Sequence, residues 1–156
     1  MSADNEILAR CMELAYESMS RGDLPFGAVV TYNGHIIAEA HNTGKTDITG
    51  HAEVNALRKV IEHMTDVDIT TCTLYSNFEP CAMCSYLIRD YGIQRVVFSV
   101  ASPHLGGTSK WPILRDNIRP EFTMKHIAEA PEITHSNFNE ECSELFDSLN
   151  WKMHRK

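Results

Sequence analysis

The sequence predicts an α/β fold, a layered domain built on one mixed β-sheet, and three observations carry that expectation. Segments with apolar residues three and four apart alternate with short β-branched runs, the pattern of helices and strands in succession. Asn33-Gly34 lies between two such runs and marks a two-residue hairpin. The run 95–100, Arg-Val-Val-Phe-Ser-Val, is apolar enough to lie inside a sheet.

Taken in order, residues 5–19 place Ile7, Leu8, Cys11, Met12, Ala15 and Met19 on one face of an amphipathic helix that ends near Arg21-Gly22. Residues 26–32 and 35–40 are the two strands of the hairpin, and the polar stretch 41–50 is a loop. A second helix is expected over 51–64, with Val54, Leu57, Val60 and Ile61 on its buried face. Residues 72–76 read as a strand. Glu79-Pro80 ends it and launches a third helix carrying Cys81, Cys84, Leu87 and Ile88. The strand at 95–100 follows, and 123–127 is expected to supply the fifth. A last helix from about Asn139 carries Cys142, Leu145, Phe146, Leu149 and Met153. The chain shows no internal repeat.

At 156 residues the length suits one domain, expected to span 1–156 as a single catalytic unit. The 43% hydrophobic and 22% charged composition is that of a globular protein. No apolar run approaches the ~20 residues of a membrane helix. The N-terminus is acidic rather than signal-like, so a cytoplasmic location is expected. Among five cysteines, Cys11, Cys72 and Cys142 stand alone among apolar neighbours and read as core residues. The net charge of −7 favours a small substrate over nucleic acid, whose phosphates call for basic surfaces. Lys152, His154, Arg155 and Lys156 at the end are either a solvated helix terminus or a phosphate-contacting tail.

The chemistry lies in His51-Ala52-Glu53 and Pro80-Cys81-Ala82-Met83-Cys84. One His and two Cys make three zinc ligands. Structural zinc sites are usually closed by four protein ligands, whereas catalytic ones leave a position open for water. Glu53 is no obvious ligand and is placed to move protons to and from that water. Cys81 and Cys84, at i and i+3, share a helical face in a first turn, where free N–H groups and the helix dipole favour thiolates. A Cys-x-x-Cys alone could be a structural knuckle or a redox pair. The His-x-Glu upstream favours metal.

His-x-Glu followed by Pro-Cys-x-x-Cys resembles the motif of the zinc-dependent cytidine deaminase superfamily. The resemblance runs from about Asn5 to Val100. It takes in Pro25-Phe26-Gly27-Ala28-Val29-Val30, Asn42, the stretch 51–58 and Glu79-Pro80-Cys81-Ala82-Met83-Cys84. It is strongest to the branch of guanine deaminases, fungal cytosine deaminase and tRNA adenosine deaminases. It implies a three-layer α/β/α sandwich on a five-stranded mixed sheet, a homodimer, and one Zn2+ held by His51, Cys81 and Cys84. Zinc would activate a water at neutral pH. Glu53 would carry its proton to the ring nitrogen and then to the departing ammonia. The Cys81 N–H and the Ala52 carbonyl would lie near the reacting carbon.

By the same resemblance Asn42 would hydrogen-bond the base or sugar. Phe26 either stacks on the substrate ring or belongs to the core. The Gly- and Pro-rich segment 102–112 departs from the family and reads as a lid or specificity loop. Trp111, His104 and Asp116 are candidates for touching the base, and Trp151 resembles C-terminal aromatics that cap the pocket. The leading expectation is hydrolytic deamination of a small guanine- or cytosine-type base or nucleoside. A tRNA adenosine deaminase is the alternative, and a non-catalytic zinc scaffold is a third.

Overall fold

The computed structural model describes residues 2–115, 127–136, 138 and 140–148. Helix α1, Ala3–Ser20, opens at Ser2, whose Oγ accepts a hydrogen bond from the Asn5 N–H at 3.3 Å. Strands β1, Gly27–Tyr32, and β2, His35–His41, form the hairpin. Its turn residues Asn33 and Gly34 both take positive φ, 51° and 77°, the conformation that Asn-Gly tolerates best. Helix α2, Ala52–His63, strand β3, Thr73–Phe78, and helix α3, Ala82–Tyr91, follow. Strand β4, Arg95–Val100, strand β5, Glu132–His135, and helix α4, Glu140–Ser148, complete the described elements.

The sheet order is β2-β1-β3-β4-β5. β1 is antiparallel to both β2 and β3, whereas β3–β4 and β4–β5 are parallel, so the sheet is mixed as expected. The strand alternation sends side chains to two cores. Ala28, Val30, Leu74, Val96 and Phe98 pack against Ala56, Leu57 and Val60 of α2 and Ile88 of α3. Val29, Tyr75 and Val97 pack on the other side against Leu8, Cys11 and Leu14 of α1. Cys142 and Phe146 of α4 meet Met12 and Phe78. Helices therefore cover both faces, and the α/β/α layering holds. Cys11, Cys72 and Cys142 are fully buried, as core residues should be.

Three details differ from expectation. Met19 and Ile61 are 39% and 40% exposed. At the end of α1 Ser18 takes the inward position instead of Met19, and in α2 Val60 is buried as expected while Ile61, one residue on, turns outward. Among the described residues the fifth strand is 132–135. It is a four-residue strand in which only Ile133 and Thr134 are half-buried, too short to show a period. Residues 123–126 lie outside the described residues, and Ile127 sits in a bend. No described helix is long and apolar enough to cross a membrane.

Candidate metal centre and active site

Two helix entrances meet at the carboxyl end of β3, the sheet edge where open α/β folds usually bind ligands. His51 is the N-cap of α2 and Cys81 the N-cap of α3, both with extended backbone, so each side chain reaches past its helix end. Cys84 follows in the first turn of α3. This placement answers why His51 and Glu53, two apart, converge: the cap residue lies outside the helical repeat.

His51 Nδ1 lies 3.4 Å from Cys81 Sγ and 3.5 Å from Cys84 Sγ, and the two sulfurs are 3.7 Å apart. A tetrahedral zinc with ordinary bond lengths sets its ligand atoms about 3.6 Å (N to S) and about 3.8 Å (S to S) apart. The donor set therefore fits zinc in identity and spacing. It is the one cluster of three or more potential ligands among the described residues. The Cys81 thiol is pulled down to about 4, first by the hydrogen bond from Cys84 and then by His51, against the cost of burial. The Cys84 thiol is pushed up, first by its hydrogen bond with Cys81 and then by burial.

Glu53 is 5% exposed. Its Oε1 accepts from Ser76 Oγ at 3.0 Å, and its Oε2 faces Cys84 Sγ at 3.6 Å. Burial first, and the charge on Cys81 second, push its carboxyl above the ordinary range, with the Ser76 bond opposing. Ala52, between ligand and carboxylate, is fully buried.

The other expected contacts are placed less directly. Asn42 is 3% exposed, its N–H donates to the Phe26 carbonyl at 3.0 Å, and its Nδ2 donates to Asp23 Oδ1 at 2.6 Å. Phe26 stacks with Phe146 at 5.5 Å and tilts against Phe78 at 5.6 Å, so it joins an aromatic cluster with α4. Trp111 is 49% exposed, with Lys110 Nζ 5.7 Å from its ring, and His104 is exposed. Asp116, Trp151 and the basic tail lie outside the described residues. A cavity of about 450 Å³ on the outer side of α2, lined by Glu39, His41, Asn55, Arg58 and Lys59, contains none of the ligands.

Three residues escaped the sequence reading. Ser76 orients Glu53. Asn55 donates to the His41 carbonyl at 3.0 Å and to Thr43 Oγ1 at 2.9 Å, tying the Asn42 loop to α2. Arg89, 1% exposed on α3, donates to the carbonyls of Ile113, Arg115 and Ala128. Their partners lie far along the chain or on another element, so no local spacing marks them in the sequence.

Residues 1–100 match the family described as the cytidine and deoxycytidylate deaminase zinc-binding region. A tRNA-specific adenosine deaminase of Aquifex aeolicus is 31% identical over 137 residues, covering 86% of this chain and 88% of its own. A guanine deaminase of Bacillus subtilis is 44% identical over 80 residues, 49% of this chain and 51% of its own. Among solved structures, a tRNA:A34 deaminase superimposes with a TM-score of 0.76 at 24% identity, covering 90% of this chain and 98% of that one. A guanine deaminase from Nitrosomonas europaea gives 0.74 at 18%, covering 96% and 86%. At these identities the two structures speak for the fold. The relatives matched over nearly the whole chain include tRNA deaminases, so the expectation that nucleic acid is no partner is not supported. Net charge averages over the whole surface and says little about a local contact. With its family match, its fold and its His-Cys-Cys centre, the chain belongs to the zinc-binding cytidine and deoxycytidylate deaminase family and is an enzyme of the deaminase type.

Proposed function

We propose that the protein is a zinc-dependent hydrolase that replaces the exocyclic amino group of a nucleobase by oxygen, releasing ammonia, and that its substrate is an adenosine within RNA. One observation carries the chemistry. Glu53 is buried with Oε1 held by Ser76, which leaves Oε2 directed at the His51, Cys81 and Cys84 cluster. His51, Cys81 and Cys84 would hold the metal. Zinc bound there supplies Lewis-acid activation of a water at neutral pH. Glu53 Oε2 would accept a proton from the attacking water and pass it to the ring nitrogen as the carbon–oxygen bond forms, then carry that water's second proton to the amino group, which leaves as ammonia as the carbon–nitrogen bond breaks. A buried carboxyl with a raised pKa suits a group that must both accept and return a proton. The family resemblance adds Asn42, Ala52, Phe26, Trp111 and Asp116 to this reading as candidate substrate contacts.

The RNA reading is supported by 31% identity to the Aquifex aeolicus tRNA-specific enzyme across 86% of this chain. A free guanine- or cytosine-type base is the second reading, favoured by the net charge of −7 and by the 44% identity to a guanine deaminase over 80 residues. The homodimer that the resemblance implies belongs to the same proposal. Ammonia release is measured on a panel of free bases, nucleosides and an adenosine-bearing anticodon stem-loop. Turnover confined to the stem-loop, with binding that weakens steeply as salt rises, is the expected result. Turnover of a free base and none of the stem-loop overturns the RNA reading.

A further inference from the structure

Glu79 belongs to neither the ligand set nor the proton path, yet its carboxylate, on a residue 2% exposed, accepts five hydrogen bonds from one loop. Oε2 accepts from the Ser102 N–H at 2.6 Å and Ser109 Oγ at 2.7 Å. Oε1 accepts from the Thr108 N–H at 2.9 Å, the Ser109 N–H at 2.8 Å and the Thr108 hydroxyl. Gly106 lies against the same carboxylate so closely that a Cβ there would overlap it. The loop that follows β4 is thus wrapped around a single anion.

The same loop is fastened to the metal side of the molecule. Gly106 pairs with Cys81 as an isolated bridge, and the Gly107 N–H donates to the Pro80 carbonyl at 2.8 Å. A Cβ at Gly107 would collide with Ser85 of α3. The Gly106 carbonyl accepts from the N–H groups of Lys110 and Trp111 at 3.0 and 2.9 Å. Hydrogen bonds therefore link Glu79 to the Ser102 N–H, the Ser102 carbonyl to the Gly106 N–H at 2.8 Å, and the Gly106 carbonyl to Trp111. Every partner of Glu79 is a donor, and a carboxylate is the side chain that offers acceptors alone. A glutamine of the same shape would turn an NH2 toward those donors.

We propose that Glu79 is a positioning residue: its carboxylate shapes loop 102–111 and holds Trp111 beside the Cys81 end of the site, setting how the base is held rather than how fast it reacts. The kinetic half of this proposal rests on the deaminase reading; the structural half does not.

The test uses the full-length zinc-loaded protein, Glu79→Gln, and a second variant, Thr108→Val with Ser109→Ala, that leaves the carboxylate in place. Amide deuterium exchange, zinc content and steady-state kinetics are measured on each. Exchange across 102–111 is expected to rise at least about tenfold, with α2 and β3 unchanged and zinc retained. KM is expected to rise at least about tenfold and kcat to change less than about threefold. Unchanged loop exchange, a fall in kcat at constant KM, or loss of zinc overturns the proposal. If Glu79→Gln does not fold, the loop variant decides by the same readouts. If the wild-type protein releases ammonia from no substrate, the deaminase reading fails and the exchange measurement alone decides the role of Glu79.

Discussion

Replacing Ser76 by alanine removes one oxygen from the fully buried inner face of β3 and isolates the contribution of Glu53 orientation. Ser76 Oγ donates to Glu53 Oε1 at 3.0 Å and accepts from the Phe78 N–H at 3.3 Å. A hydrogen bond to a charged group contributes about 1.5–3 kcal/mol. If that energy is expressed in the proton-transfer step, kcat falls about 10- to 150-fold at about 1.4 kcal/mol per factor of ten. The metal ligands are untouched, so zinc content stays at that of the wild type. The freed Phe78 N–H adds a stability loss of about 1–3 kcal/mol, read separately by urea unfolding. The assay is steady-state ammonia release on whichever substrate the wild-type protein accepts. A Ser76→Ala enzyme with wild-type kcat would refute the reasoning, because Glu53 would then need no orienting partner.

Further outcomes follow from the same geometry. Asp4 accepts paired hydrogen bonds from Arg95 at 2.9 and 2.8 Å, and that guanidinium holds its carboxyl below the ordinary 3.8. A depressed folded pKa contributes stability above the unfolded value that is lost as pH falls through the folded one. Asp4→Asn should therefore cost about 1–2 kcal/mol at pH 7, a cost that shrinks in urea titrations as pH falls below the free carboxyl's 3.8 and through the lowered folded value. Leu74, fully buried at the centre of the sheet, should lose about 2–5 kcal/mol on truncation to alanine, a fall in Tm of roughly 5–15 °C by calorimetry. Removing zinc with a chelator should lower Tm of the wild-type protein and leave Cys81→Ser unchanged, since the latter has lost a ligand already.

The metal centre was legible in the sequence because its spacing is dictated by covalent geometry. An N-cap residue and the one three positions on lie at the same helix entrance, and the Cys81 and Cys84 sulfurs are 3.7 Å apart. The hairpin was legible for a similar reason, since Asn33-Gly34 accepts positive φ that few pairs tolerate. Helix boundaries shifted where a cap residue carried the chemistry, so His51 and Cys81 stand just outside the helices expected to contain them. Glu79 and Ser76 were not legible as functional residues. A lone carboxylate has no period, and its five donors come from residues 23 to 30 positions away. Strand β5 hid because four residues at the sheet edge bury too little to show alternation. The resemblance pointed to Asn42, whose amide bond to Asp23 is a pairing across 19 residues that no local pattern announces.

The central claim is that His51, Cys81 and Cys84 hold zinc while Glu53 moves the proton. It is tested most directly by measuring bound zinc and ammonia release on the same preparation of Glu53→Gln, beside the wild type. Glu53→Gln is expected to carry a full complement of zinc with ammonia release reduced by about 10²–10⁴. Undiminished ammonia release from the zinc-loaded variant would contradict it.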